Sequence, residues 1–182
     1  PLTSIAGSLG LVSGGAAGEL PTQARRLVDI ALTNCQRLVR LINDVLDIEK
    51  MESGQVRFDL RATPLGEIAA RSVEDTRGFA EGLGVRLRLE TDGSAPMIRA
   101  NADRVVQVAI NLLSNAAKFS PEGEAVVLRV ATVDDKARLT VRDRGPGVPE
   151  AFRSRIFTKF AQADSSDTRQ KGGTGLGLAI AR

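Results

Sequence analysis

Three short stretches of this chain gather residue types suited to holding phosphate and reading a base. In the first, Asn111, Asn115 and Lys118 recur every three or four residues; in the second, Asp143 stands two and four places ahead of Gly145 and Gly147; in the third, Gly172, Gly173, Thr174, Gly175, Leu176 and Gly177 run together. An Asn carbonyl is a hard oxygen donor of the kind Mg²⁺ accepts alongside phosphate oxygens and water. A carboxylate at Asp143 accepts a hydrogen bond from an exocyclic amine such as that of adenine, and glycines beside it let a ring lie against the backbone. A glycine-rich loop leading into a helix presents free N–H groups to an anion. Each stretch alone has an ordinary reading: an amphipathic helix with a wet face, a tight Asp-x-Gly turn, or a flexible linker before a helix. The glycine run also matches neither of the two commonest phosphate motifs, because no Lys-Ser/Thr follows it and no strand leads directly into it.

These residues depend on the elements that carry them. A helix is expected from about Asp103 to Phe119, and at 100° per residue Gln107, Asn111, Asn115 and Lys118 fall within about 80° of one another. Val105, Val106, Val108, Ile110, Leu112 and Leu113 cover the other faces, so the helix is largely buried and its polar stripe needs partners. Strands at Ala125 to Val133 and Ala137 to Arg142 are joined through Asp134 and Asp135 as a hairpin, and Asp143 ends the second of them. A second helix starts after Thr174. Between them, the 24 residues from Val148 to Lys171 show weak periodicity and a polar stretch from Asp164 to Thr168, as a mobile loop would.

Upstream, Val56, Phe58 and Leu60 alternate as a strand, a helix runs from near Pro64 to about Gly82, and Val85, Leu87 and Leu89 alternate again. Segregated helices with mostly antiparallel strands indicate an α+β sandwich from residue 53 to 182. Residues 1–52 have a different character. A helix from Pro1 to Val12 and a glycine- and proline-rich break precede a long helix. Its apolar positions recur about every 3.5 residues, as Ala24, Ala31, Leu38 and Val45 in one row and Leu27, Leu41 and Ile48 in the other. Asn34 is the polar member of the second row, either a buried register-setting amide or one at the stripe's edge. Val28, Cys35 and Ile42 widen the stripe beyond a two-stranded seam, so one hairpin leaves apolar surface uncovered and a dimeric four-helix bundle is expected.

Composition removes several function classes. The 182 residues include 42% hydrophobic, enough for real cores, and 25 basic against 22 acidic residues give a net charge of only +3. All six aromatic residues are Phe, so base stacking has little support and no nucleic-acid partner is expected. No apolar run approaches the roughly 20 residues that span a bilayer, so these residues are expected to make no membrane contact and to suit the cytoplasm, with the parent protein free to be tethered elsewhere. The single cysteine, Cys35, has no internal disulfide partner, and the absence of His removes the usual general base and the commonest zinc ligand.

The motifs in this order and spacing resemble the histidine kinases of two-component signalling, over nearly the whole chain. Asn111 to Ser120 is similar to the family's asparagine motif, Asp143 to Gly147 to its first glycine motif, Phe157 to Phe160 to its phenylalanine motif and Gly173 to Leu178 to its second glycine motif. The resemblance implies a dimerisation and phosphotransfer hairpin at 1–52 and, at 53–182, an ATP-binding sandwich of the type shared with gyrase, heat-shock chaperone and mismatch-repair ATPases. It implies Mg²⁺ at Asn111, phosphate contacts from Asn115 and Lys118, adenine recognition by Asp143, and support on the adenine side from Thr174. Gly145 and Gly147 would line the nucleotide, Gly173, Gly175, Leu176 and Gly177 would close a lid on phosphate, and Phe157 and Phe160 would anchor that lid, a pair equally compatible with plain core packing.

By the same resemblance the γ-phosphoryl of Mg-ATP passes to a His on the dimer bundle and then to an Asp of a response regulator. That His would fall five positions before Pro1, since Pro1, Leu2 and Thr3 match the tail of the family's His-x-x-x-Thr-Pro-Leu context, and the sequence reads as one trimmed at both ends. Two rivals remain. An ATP hydrolase or chaperone-like module of the wider group would need a base aimed at water where this chain has Gln107, an amide. A dimeric scaffold that only senses nucleotide would need no phosphoacceptor at all.

Overall fold

The computed structural model describes residues 1–53, 58–162 and 175–181. It divides into two compact units, Pro1–Gln55 and Val56–Arg182.

In the first unit, α1 (Leu2–Ser13) and α2 (Thr22–Glu52) form a hairpin. Gly15 and Gly18 take positive φ in the turn, where a side chain would be strained. Both ends of α1 are tied to α2: Ser13 Oγ donates to Asp29 Oδ1 at 2.6 Å, and Cys35 Sγ donates to the Leu2 carbonyl at 3.3 Å. Two helices cannot enclose the stripe of α2. No residue of α1 is buried, and Leu27, Ile30, Leu38, Ile42 and Leu46 of α2 are all at least 45% exposed. Asn34 is exposed with them. Asp44 sits partly buried among them, and burial, reinforced by the neighbouring Asp47 charge, pushes its carboxyl above the usual range against the opposing pull of Arg40.

The second unit packs two helices against a sheet. Its elements are β1 (Arg61–Pro64), α3 (Leu65–Glu81), β2 (Arg86–Thr91), β3 (Met97–Ala100), α4 (Ala102–Phe119), β4 (Ala125–Val133), β5 (Lys136–Arg142) and the one-turn helices α5 (Glu150–Arg153) and α6 (Gly177–Ile180). β2, β4 and β5 form one sheet in the order β2-β4-β5, with β2 parallel and β5 antiparallel to β4; β1 and β3 form a separate antiparallel pair. Two of the three pairings are antiparallel, as expected; β2-β4 is the parallel one, and α4 lies in the crossover that makes it possible. Asp134 and Asp135 adopt φ of 49° and 58°, the left-handed pair that a two-residue hairpin turn demands.

The inner face of the central strand, Val126, Leu128 and Val130, is fully buried. Against it lie Leu65, Ile68, Ala69 and Val73 of α3 and Val106, Leu113 and Ala117 of α4. Two hydroxyls enter this core from α3. Ser72 and Thr76 satisfy themselves by donating to the carbonyls four residues back, at 2.7 and 2.8 Å. α4 starts at Asn101, whose side chain accepts the Arg104 N–H at 3.1 Å, and it carries Asp103 in the first turn and Lys118 in the last, each on the favourable end of the helix dipole. Pro121 stops it by forcing Ser120 into an extended conformation.

Of the strand expected at Val56 to Leu60, only the last three residues are described, and they are not a strand. Phe58 to Leu60 are irregular and half-exposed, Val56 lies outside the described residues, and the strand begins at Arg61. The expected loop after Val148 contains α5 and a run of turns as far as Phe160; residues 163–171 lie outside the described residues.

Candidate functional site

α4 brings the separate motifs together. In its middle, Asn111 Nδ2 donates to the Gly177 carbonyl at 3.0 Å. A carbonyl can only accept, so this contact fixes the amide orientation, with Nδ2 as the donor and Oδ1 left as an acceptor. A Cβ on Gly177 would lie 3.2 Å from Asn111 Cγ, so the glycine lets the α6 backbone settle against the Asn side chain. At the end of α4 the Phe119 carbonyl lies 2.9 Å from where a Cβ on Gly145 would stand. The two contacts are eight residues apart on one helix, about 12 Å.

Asp143 follows β5 and is exposed. Its Oδ1 accepts the Gly145 N–H at 2.7 Å, closing an Asx turn that presents the carboxylate beside the glycines, and Oδ2 has no hydrogen bond among the described residues. Gly147 holds φ at 77° with open space around it. The glycine requirement there comes from the backbone conformation alone.

The third junction joins the phenylalanine segment to the glycine run. Gly175 has φ of 69°, and a Cβ there would lie 2.8 Å from the Phe160 carbonyl carbon and Cα and 3.1 Å from the Ala161 carbonyl oxygen. Phe160 itself has φ of 59°, an uncommon value for an aromatic residue. Phe160 is 62% exposed and Phe157 45% exposed, so core packing does not account for the pair, and the backbone of Phe160 makes the contact. Next to Gly175, Leu176 is fully buried and fixes the start of α6.

The remaining expected residues divide as follows. Asn115 and Lys118 lie on α4, both half-buried. Gln107 Oε1 accepts from Arg104 Nη1 at 2.9 Å. Gly173 and Thr174 lie outside the described residues. Among the described residues no group of three or more His, Cys, Asp or Glu could hold a metal. An amide oxygen such as Asn111 Oδ1 is a hard donor of the kind that Mg²⁺ accepts alongside phosphate and water oxygens. Sequence reasoning missed the Phe119 to Gly145 and Phe160 to Gly175 contacts. The one available signal was the glycine itself, which does not name its neighbour.

Two family models match in tandem: the His Kinase A (phospho-acceptor) domain over residues 1–54, and the histidine kinase-, DNA gyrase B- and HSP90-like ATPase over residues 100–182. The chain belongs to the histidine kinase family. It is 35% identical over 184 residues to the circadian input-output histidine kinase CikA of Synechococcus elongatus, covering 100% of this chain and 24% of that protein. It is 31% identical to the sensor histidine kinase MtrB of Mycolicibacterium paratuberculosis, covering 99% of this chain and 32% of that one. Among solved structures, full-length ShkA in complex with AMPPNP superposes with a TM-score of 0.76 at 29% identity, over 98% of this chain and 37% of that one. This histidine kinase chain thus spans between a quarter and a third of the length of these curated relatives. Among its described residues, no helix is long and apolar enough to cross a membrane.

Proposed function

We propose that this chain is the core of a sensor histidine kinase, with a dimerisation and phosphotransfer hairpin at residues 1–52 and a catalytic ATP-binding domain at 53–182. The observation that carries the reading is the convergence on α4. Asn111 reaches Gly177, and the end of the same helix reaches the Asp143 turn, so one rigid element indexes both glycine motifs.

Bound Mg-ATP supplies the γ-phosphoryl group. Asp143 would read the adenine amine through its open oxygen, with Gly145 and Gly147 lining the nucleotide beside it. Asn111 Oδ1 would offer an oxygen to the metal, Asn115 and Lys118 would contact phosphate, and Gly173, Thr174, Gly175, Leu176 and Gly177 would carry the closing segment, flanked by Phe157 and Phe160. Phosphoryl transfer demands mainly positioning and charge neutralisation, which amides, a lysine and backbone N–H groups provide without a general base on α4. The sequence holds no His, so the acceptor imidazole lies outside these residues, and the response-regulator Asp receives the group after it. The uncovered stripe of α2 and the family of residues 1–54 support a homodimer through the hairpin. Hydrolysis is disfavoured by Gln107, an amide already held by Arg104.

Calorimetric titration of Mg-ATP into the chain, with Asp143→Ala as the comparison, tests the site. Saturable binding that falls at least tenfold in the variant is expected; equal binding by both would remove Asp143 from adenine recognition. A folded chain that binds no nucleotide would leave only the dimeric scaffold.

A further inference from the structure

The outer face of the β2-β4-β5 sheet, turned away from α3 and α4, carries a concentration of positive charge that the nucleotide reading does not use. The register puts Arg86 and Arg88 of β2, Arg129 of β4, and Lys136, Arg138 and Arg142 of β5 on that side, opposite the buried row of Val126, Leu128 and Val130. All six are exposed. Glu90 is the one acid in the array, and Asp134 and Asp135 lie at its rim in the hairpin turn. None of the six cations belongs to an ion pair among the described residues; Arg86 donates to the Gly123 carbonyl at 2.8 Å. With strands about 4.8 Å apart and same-face residues about 6.8 Å apart, the array occupies roughly 10 by 25 Å.

A net charge of +3 averages over the whole surface and conceals this patch. Six like charges held this close repel one another, and an anionic partner relieves that repulsion. The chemistry of the face narrows the partner. It is an open sheet surface without a groove, and the residues between the cations are small, as with Ala125, Val127, Ala131 and Thr140. Among the described residues of the three strands, no aromatic side chain stands on this face to stack on a base or to anchor a protein hot spot. A planar array of anionic headgroups meets all six cations at once and needs no pocket. We infer that this face is a contact surface for anionic lipid headgroups, a peripheral attachment distinct from any membrane span. The lack of a long apolar run, on which the expectation of no membrane contact rests, bears on a span and not on a peripheral contact of this kind.

The test is sedimentation of the whole chain with vesicles of phosphatidylcholine containing about 30% phosphatidylglycerol, against pure phosphatidylcholine, near 0.1 M salt. Binding to the anionic vesicles alone is expected. Each cation at such a surface contributes about fivefold, so Arg129→Gln with Arg138→Gln should weaken binding about 30-fold. Arg71→Gln with Arg77→Gln, on the outward side of α3, removes the same charge from another surface and should leave binding unchanged. Should the first pair lower the unfolding temperature, Arg88→Gln with Arg142→Gln carries the same expectation. Equal losses from both surfaces, indifference to phosphatidylglycerol, or release of the protein from vesicles by a DNA duplex at equal phosphate concentration would each overturn the inference.

Discussion

Gly175 and Gly147 form a matched pair for testing whether the second glycine motif is packed or merely flexible. Both hold left-handed backbone, with φ of 69° and 77°. A Cβ at 147 meets open space; at 175 it meets the Phe160 backbone at 2.8 Å, and backbone cannot rotate away as a side chain can. Gly147→Ala therefore costs the conformational penalty alone, about 1–2 kcal/mol. Gly175→Ala adds an overpacking cost of about 1–3 kcal/mol on top of it. For a unit of this size each kcal/mol is about 4 °C in Tm, so the 175 variant should unfold roughly 4–12 °C below the 147 variant.

The assay is thermal unfolding by circular dichroism without nucleotide, so that loss of a ligand contact cannot enter the comparison. Hydrogen exchange at Leu176 to Ala181 supplies the local readout. If the new methyl is accommodated by releasing α6, those amides should exchange faster in the 175 variant only, because Leu176 and Ile180 lose their buried positions. Equal unfolding temperatures and equal exchange in the two variants would refute the reasoning. The glycine run would then be a flexible linker before a helix, and its contact with the phenylalanine segment would carry no stability.

Other perturbations follow from single contacts. Asn111→Asp replaces the donor facing the Gly177 carbonyl with an acceptor, so it should loosen α6 more than Asn111→Ala, whose lost hydrogen bond costs about 1–2 kcal/mol; hydrogen exchange at Gly177 to Ile180 ranks the two, and the reverse order would count against the assigned amide orientation. Asp92 is held below the usual carboxylate range by the Ser94 hydroxyl and N–H and by the Thr132 N–H at 3.1 Å. Its stabilising contribution is therefore complete above the unfolded pKa of about 3.9 and lost as pH falls through the lower folded value. Asp92→Ala should accordingly lower Tm at pH 7 and match the native chain once both are acidified below that range; a gap independent of pH would contradict the assignment. Leu38, 48% exposed in the single hairpin, should lie between protomers, so Leu38→Asp should convert a dimer to a monomer in sedimentation equilibrium, and a native chain already monomeric would remove the bundle reading.

The parts of the fold legible in the sequence are those whose stabilising contacts are local or periodic. α4 announces itself through an N-cap Asn, charges matched to the helix dipole and a terminating proline, and the β4-β5 turn through two consecutive Asp residues that tolerate left-handed backbone. The β1-β3 pair gives no such signal. Arg61, Ala62, Thr63 and Pro64 do not alternate, and they are a strand only because residues 97–100 lie alongside them. Upstream, Phe58 and Leu60 do alternate with polar neighbours, yet among the described residues they pair with no strand and remain half-exposed, because periodicity without pairing does not make a strand. The parallel β2-β4 pairing was in principle inferable, because a helix of 18 residues between two strands is the crossover that parallel neighbours require.

Within the site, residue types were legible and their partners were not. Four glycines serve four different purposes: Gly145 admits the Phe119 carbonyl, Gly147 supplies a positive φ, Gly175 does both kinds of work against Phe160, and Gly177 makes room for Asn111. The one-dimensional pattern registers all four as the same absence of a side chain. What separates them is the atom facing each missing Cβ, and in three cases that atom lies 15 to 66 positions away along the chain. Phe160 shows the converse. Its side chain made it conspicuous in the sequence, while the structure uses its backbone, bent to φ of 59° against Gly175. Replacing its ring while keeping that φ, as Phe160→Asn would, should therefore preserve the junction better than Phe160→Val, whose branched side chain resists left-handed backbone.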